Sequence, residues 1–196
     1  MKKKILVIHG FNSSPQSFKA QLTKQYIRQH LSHVDVVCPQ LLSNPNAAIA
    51  QLMDIIDNDK QCQWHLTGSS LGGFFATYLA AKYNLKAVLI NPAIRPYELL
   101  EDILGEQINP YTKEVYQVTL EHMQHLKAFE IDKINAKNFL VMVQTGDEVL
   151  DYQQAVDKYQ HCQLCVQQGG DHSFINFDEM LPDIVNFFQL NKAAMD

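Results

Sequence analysis

The sequence points to an α/β protein with a doubly wound, parallel sheet. Six short apolar runs recur along it, rich in Val, Ile and Leu. They are continuous rather than alternating, which suits strands buried on both faces. Segments with helical spacing of apolar residues separate them. Strand–helix–strand repetition with right-handed crossovers lays helices on both faces of one sheet. A chain of 196 residues is enough for one domain, and at this size it buries about 70% of its unfolded surface without a disulfide or metal staple.

Taken in order, the first strand is Lys4–Ile8, and the helical pattern Gln16–Leu31 follows. Val34–Cys38 is the second strand, followed by a helix over Asn46–Ile56. Gln63–Thr67 leads through a glycine-rich turn into a helix at Leu71–Tyr83, and Ala87–Ile90 is the fourth strand. The fifth strand, Phe139–Gln144, precedes a helix at Tyr152–Tyr159, and the sixth, Cys162–Gln167, precedes one at Asn176–Leu190. One connection is long: about 45 residues after Asn91 show no convincing strand. Pro96 suits a first helical turn, the run Tyr97 to Leu104 is amphipathic up to Gly105, and a second helical pattern spans about Lys113 to Phe129. The expectation is a single domain over 1–196 with a small helical cap inserted at about 92–137.

Composition narrows the function classes. The net charge of −5, from 16 basic and 21 acidic residues, lacks the basic footprint of a nucleic-acid binder. Lys2–Lys4 precede only four apolar residues, Ile5–Ile8, too few for a secretory core of about 7–15. No apolar run is long enough to span a membrane. A soluble, cytoplasmic protein is expected. Cys162 and Cys165 form a CxxC, but on a strand residues three apart face opposite sides, and no second CxxC completes a zinc site. All four cysteines read as reduced thiols.

The strongest motif is Gly68-Ser69-Ser70-Leu71-Gly72, a G-x-S-x-G. From the glycine and serine content, about 0.01 chance matches are expected in this chain. A strand before it and a helix after it make a sharp elbow that lifts the serine hydroxyl above the sheet. No P-loop and no G-x-G-x-x-G is present. A serine hydroxyl is a poor nucleophile until a base removes its proton, so the elbow calls for a later acid and a still later histidine.

His172, in Gly169-Gly170-Asp171-His172-Ser173, lies just past the last strand, at the carboxyl edge shared with the elbow. The acid belongs after the fifth strand, where Asp147, Glu148 and Asp151 compete. Asp147 immediately follows the Gly146 turn and is the first choice. Asp151 occupies a helix N-cap position, which is a sufficient reason for an aspartate there. The acid would fix the imidazole tautomer and stabilise the imidazolium. An oxyanion would need backbone N–H donors. Leu71, after the nucleophile, supplies one, and Phe11, in the loop after the first strand, is chosen for the second. His9 reads as a support of that loop.

Five segments carry a closer likeness: Ile8-His9-Gly10-Phe11-Asn12-Ser13-Ser14-Pro15, Gly68-Ser69-Ser70-Leu71-Gly72-Gly73, Asn91-Pro92-Ala93-Ile94-Arg95-Pro96, Thr145-Gly146-Asp147-Glu148-Val149-Leu150-Asp151-Tyr152 and Gly169-Gly170-Asp171-His172. Spread over almost the whole chain, they resemble the YqiA-type bacterial esterases of the α/β-hydrolase superfamily. The resemblance implies an α/β-hydrolase fold with a minimal six-stranded sheet of order 2-1-3-4-5-6, lacking the two leading strands of larger hydrolases. It implies a small cytoplasmic esterase acting on carboxylic esters or acyl-CoA thioesters, with Ser70, Asp147 and His172 as its triad. The mechanism expected from these residues is that of a serine esterase working through an acyl-enzyme, with no cofactor or metal. Fewer residues than usual separate the Gly turn from the acid, which keeps Asp151 in competition.

Other functions share these motifs: an acyl-CoA thioesterase or acyltransferase with the same triad, and a non-catalytic ligand-binding protein on the same fold. The expected partner is a small-molecule ester or acyl thioester, with neither nucleic acid nor membrane involved. Nothing in the sequence sets the acyl length, leaving group or oligomeric state. Arg95, after the fourth strand, is a candidate to bind an anionic substrate group, or to anchor the cap by an ion pair. Tyr97, Tyr111 and Tyr116 are candidates to line an acyl pocket or to pack the cap. His122 and His125 sit three apart on a helical face with no converging ligand.

Overall fold

The computed structural model describes residues 1–191. Its elements are β1 (Lys3–Ile8), α1 (Phe18–His30), β2 (Val34–Val37), α2 (Pro45–Asp57), β3 (Gln63–Ser70), α3 (Leu71–Tyr83) and β4 (Lys86–Pro92), then α4 (Pro96–Glu101), β5 (Gly105–Ile108), β6 (Val115–Val118) and α5 (Leu120–Ala128), and finally β7 (Phe139–Gln144), α6 (Tyr152–Lys158), β8 (Gln163–Gln167) and α7 (Leu181–Phe188). Six strands form one parallel sheet in the order β2-β1-β3-β4-β7-β8. That is the order expected from the sequence once the two short strands of the insertion are set aside.

The continuous apolar runs are explained by two cores. Leu6 and Ile8, Ala87 and Leu89, and Phe139, Val141 and Val143 point to one face, with residues of α2, α3, α5 and α6 over them. Their neighbours Ile5 and Val7, Val88 and Ile90, and Leu140 and Met142 point to the other, under α1 and α7. Period-two alternation in direction with no polar face makes each run read as unbroken. The two CxxC cysteines obey the same geometry. Cys162 packs on the first core and Cys165 on the second, and both are free.

The insertion departs from expectation. It is not wholly helical: β5 and β6 form an antiparallel hairpin, pairing Gly105 with Val118 and Ile108 with Val115. The helical pattern expected from Lys113 yields a strand at Val115–Val118, and α5 starts only at Leu120, after a capping box between Thr119 and His122. That capping bond is the role of His122, while His125 lies 3.5 Å from Glu121. α4 ends at Glu101 instead of running on to Leu104. The hairpin is tied to the β1–α1 loop. Tyr116 Oη donates to Asn12 Oδ1 at 2.7 Å, Asn109 Nδ2 donates to the Ser13 carbonyl at 3.0 Å, and the Tyr116 ring meets Phe11 edge-on.

All six parallel strands end at one edge. The ends of β3, β4 and β7 and the segments that follow β1, β3, β7 and β8 there carry the site.

Candidate active site

At the β3–α3 junction the chain reverses within one residue. Ser70 takes φ 54° and ψ −124°, a sparsely populated conformation for a non-glycine residue that costs on the order of 1–3 kcal/mol. The flanking glycines permit it. A Cβ on Gly68 would lie 2.2 Å from the Gly72 carbonyl oxygen, and one on Gly72 would lie 2.1 Å from that of Ile8. Only bare backbone lets β1, β3 and α3 approach this closely. Leu71 is the first residue of α3, so its N–H belongs to the unpaired first turn of the helix.

The β7–α6 connection supplies the carboxylates. His172 Nδ1 lies 3.0 and 2.9 Å from the two Asp147 oxygens, and its Nε2 lies 3.2 Å from Ser70 Oγ. One imidazole thus links residues drawn from three connections. Asp147 Oδ1 also accepts from the Val149 and Leu150 amides at 2.9 and 2.8 Å. Burial alone would raise the Asp147 pKa, but the hydrogen bonds from His172, Leu150 and Val149 outweigh it and hold the carboxyl below its ordinary value. An ionised Asp147 fixes the proton on Nδ1 and leaves Nε2 free to accept from the Ser70 hydroxyl.

The other two acids take different partners. Asp151 caps α6, accepting from the Gln153 amide at 2.9 Å. Glu148 Oε2 accepts the His172 backbone N–H at 3.0 Å. Of the three carboxylates that compete in the sequence, the structure brings Asp147 to the imidazole.

The β1–α1 loop forms the opposite wall. A Cβ on Gly10 would come within 3.1 Å of the Ser70 Cβ, so this loop lies directly against the elbow. Phe11 follows it and lines an open cleft of about 370 Å³ together with Ser70, His172, Lys19, Glu148 and Tyr111. His9 is buried and acts as a brace. Its Nδ1–H donates to the Gly10 carbonyl at 3.0 Å, and its Nε2 accepts from the Leu41 amide at 3.1 Å. Burial lowers its pKa, in keeping with a neutral ring whose two nitrogens are both engaged.

The remaining candidates divide. Tyr111 lines the Ser70 cleft, Tyr116 supports the Phe11 loop, and Tyr97 packs within the insertion, its hydroxyl donating to Glu130 at 2.9 Å. Arg95 is not among the residues lining that cleft. It lines a separate cavity with Glu130, Asp132 and Lys158, and its guanidinium lies 3.6 Å from Glu98.

Two buried amides escaped the sequence reading. Gln144, at the end of β7, accepts the Asp171 and Ile175 amides on Oε1 at 3.1 and 2.9 Å, and its Nε2 donates to the Ile175 carbonyl at 2.9 Å. Asn91, at the end of β4, donates to the carbonyls of Asp171 and His172 at 3.0 and 3.3 Å and accepts the Gln144 amide at 3.0 Å. Together they hold the His172 loop from beneath. The available signal was a polar amide closing each of two otherwise apolar strands.

Residues 4–189 match the sequence profile described as "Uncharacterised protein family (UPF0227)". Among solved structures, the mouse alpha/beta hydrolase domain-containing protein 10 is similar at a TM-score of 0.74 and 15% identity, over 96% of this chain and 90% of that one. Est1E from Butyrivibrio proteoclasticus reaches 0.72 at 16% identity, over 97% and 89%. XC6422 from Xanthomonas campestris, a serine hydrolase without a lid, reaches 0.64 at 15% identity, over 94% and 81%. At such identities these likenesses establish the α/β-hydrolase fold.

Proposed function

The chain belongs to the UPF0227 family, the YqiA family of the α/β-hydrolase superfamily, and from that premise we propose that it is a serine esterase hydrolysing small carboxylic esters. One observation carries the proposal: a single imidazole lies within hydrogen-bond reach of both a strained serine and a carboxylate held ionised.

Ser70 Oγ attacks the ester carbonyl carbon while His172 Nε2 takes its proton. Asp147 stabilises the resulting imidazolium and is not itself protonated. The Leu71 and Phe11 amides receive the oxyanion of the tetrahedral intermediate. The C–O bond to the alcohol then breaks, and His172 passes its proton to the departing oxygen. In the second half, His172 takes a proton from water, whose oxygen attacks the acyl-Ser70 carbonyl. Collapse releases the acid and returns the proton to Ser70. No step draws on a metal or cofactor.

Intact-mass spectrometry after exposure to a fluorophosphonate tests the nucleophile. A single adduct is expected on the folded protein, absent in Ser70→Ala. The same substitution should lower kcat on 4-nitrophenyl acetate by about 10⁴–10⁶. Absence of both an adduct and turnover would reduce the site to a binding pocket, and unchanged turnover in the variant would remove Ser70 as the nucleophile.

A further inference from the structure

The Ser70 cleft contains one cationic side chain that the mechanism above leaves idle. Lys19, the second residue of α1, lines the cleft beside Ser70 and His172. Its Nζ donates to the Ser173 carbonyl at 2.7 Å. An ammonium has three donors, so two remain. Lys2, Lys4 and Lys60 each pair with an aspartate, yet among the described residues no carboxylate oxygen lies within 4.0 Å of Lys19 Nζ. Glu148 is the one acidic side chain among the residues lining this cleft, and it is bound to the His172 amide. Phe11, Phe18 and Tyr111 line the same cleft and offer apolar surface to the uncharged part of a ligand.

We infer that the preferred substrates are esters bearing a carboxylate or another singly anionic group, and that Lys19 is the specificity residue that receives it. The inference rests on the esterase reading and narrows its substrate class. Burial lowers the Lys19 pKa, and the negative charges of Asp171 and Asp147 only partly offset this. A half-buried ammonium that lacks a carboxylate partner gains more from an arriving anion than a fully solvated one does.

Two matched ester pairs test this on the full chain. Monomethyl adipate against dimethyl adipate places the charge on the acyl side. 4-Acetoxybenzoate against methyl 4-acetoxybenzoate places it on the leaving group. In one pair the wild type should favour the anionic member in kcat/KM, and that pair identifies the side that carries the charge. Lys19→Gln should lower this preference about 10–100-fold, the worth of one charge-assisted hydrogen bond, while Lys19→Arg should retain most of it. Equal rates within both pairs for the wild type would overturn the inference. So would a Lys19→Gln variant that slows both members alike, because Lys19 would then only tether the His172 loop through Ser173. Turnover of the neutral esters together with Ser70 labelling keeps the esterase reading intact in either case. Loss of both takes the two readings down together.

Discussion

Asp147 meets His172 Nδ1 with both carboxylate oxygens, at 3.0 and 2.9 Å, whereas Asp151, four residues on, turns its carboxylate to the Gln153 amide at the start of α6. The two aspartates are rivals in sequence and have separate tasks in space. One holds the imidazole, and the other caps the start of a helix.

Their substitutions should therefore differ in kind. Asp147→Asn keeps the shape but removes the charge that fixes the imidazole tautomer, and kcat should fall by about 10⁴. Asp151→Ala removes an N-cap and should cost about 0.5–2 kcal/mol of stability with kcat retained. Steady-state kinetics and thermal melts on the pair check both. A dead Asp151→Ala beside an active Asp147→Asn would reverse the assignment.

Acid sensitivity follows from the same carboxylate. Its folded pKa is depressed below the unfolded value of about 3.9. Its contribution to stability is then fully present above that value and is lost as pH falls through the lower folded value. Melting temperatures measured from pH 7 down to pH 3 should drop more steeply below about pH 4 in the wild type than in Asp147→Asn. Parallel curves would mean that the carboxyl gains nothing from its partners.

Gln144 never touches the imidazole, yet it supports the loop that carries it. Gln144→Leu leaves the Asp171 and Ile175 amides without their acceptor, at a cost of about 1–3 kcal/mol. It also frees the loop, and a displacement of about 1 Å at the base costs about 10²-fold in rate. The expected signature is a fall in kcat with KM nearly unchanged. A lower melting temperature with normal kcat would make Gln144 a purely structural residue.

Gly72 tests the elbow itself. An alanine Cβ there would sit 2.1 Å from the Ile8 carbonyl oxygen and 2.6 Å from that of His9, and both are backbone atoms that cannot swing aside. Gly72→Ala should destabilise the protein by about 3 kcal/mol, with chemical denaturation as the measure. A shift in the denaturation midpoint too small to resolve would show that α3 and β1 are not packed this tightly.

The six sheet strands were legible because Val, Ile and Leu fill both faces of β1, β4 and β7. The elbow was legible because its glycines are forced. The hairpin was not. β5 reads Gly-Glu-Gln-Ile and β6 reads Val-Tyr-Gln-Val, four residues each and largely exposed, so neither carries the apolar run that marks a strand. Its stability comes instead from tertiary bonds such as Tyr116 to Asn12, which spacing cannot reveal. The choice among Asp147, Glu148 and Asp151 was likewise open, because all three lie within one loop and only the fold of that loop separates their partners. Lys19 carries no signal in the sequence, because a lysine near a helix start is commonplace until the helix is seen to begin at the cleft.

The sheet order also sets a timetable for assembly. β1, β3 and β4 and the elbow come from the first half of the chain, whereas the imidazole arrives from 102 residues beyond Ser70. Between them the β4–β7 pairing must close over the whole hairpin insertion, a distant contact of the kind that slows folding. The elbow can therefore form from the first half of the chain without the imidazole. The contacts of His172 with Ser70 and Asp147 form only when the last two strands dock, so on the proposed esterase reading activity waits for the complete fold.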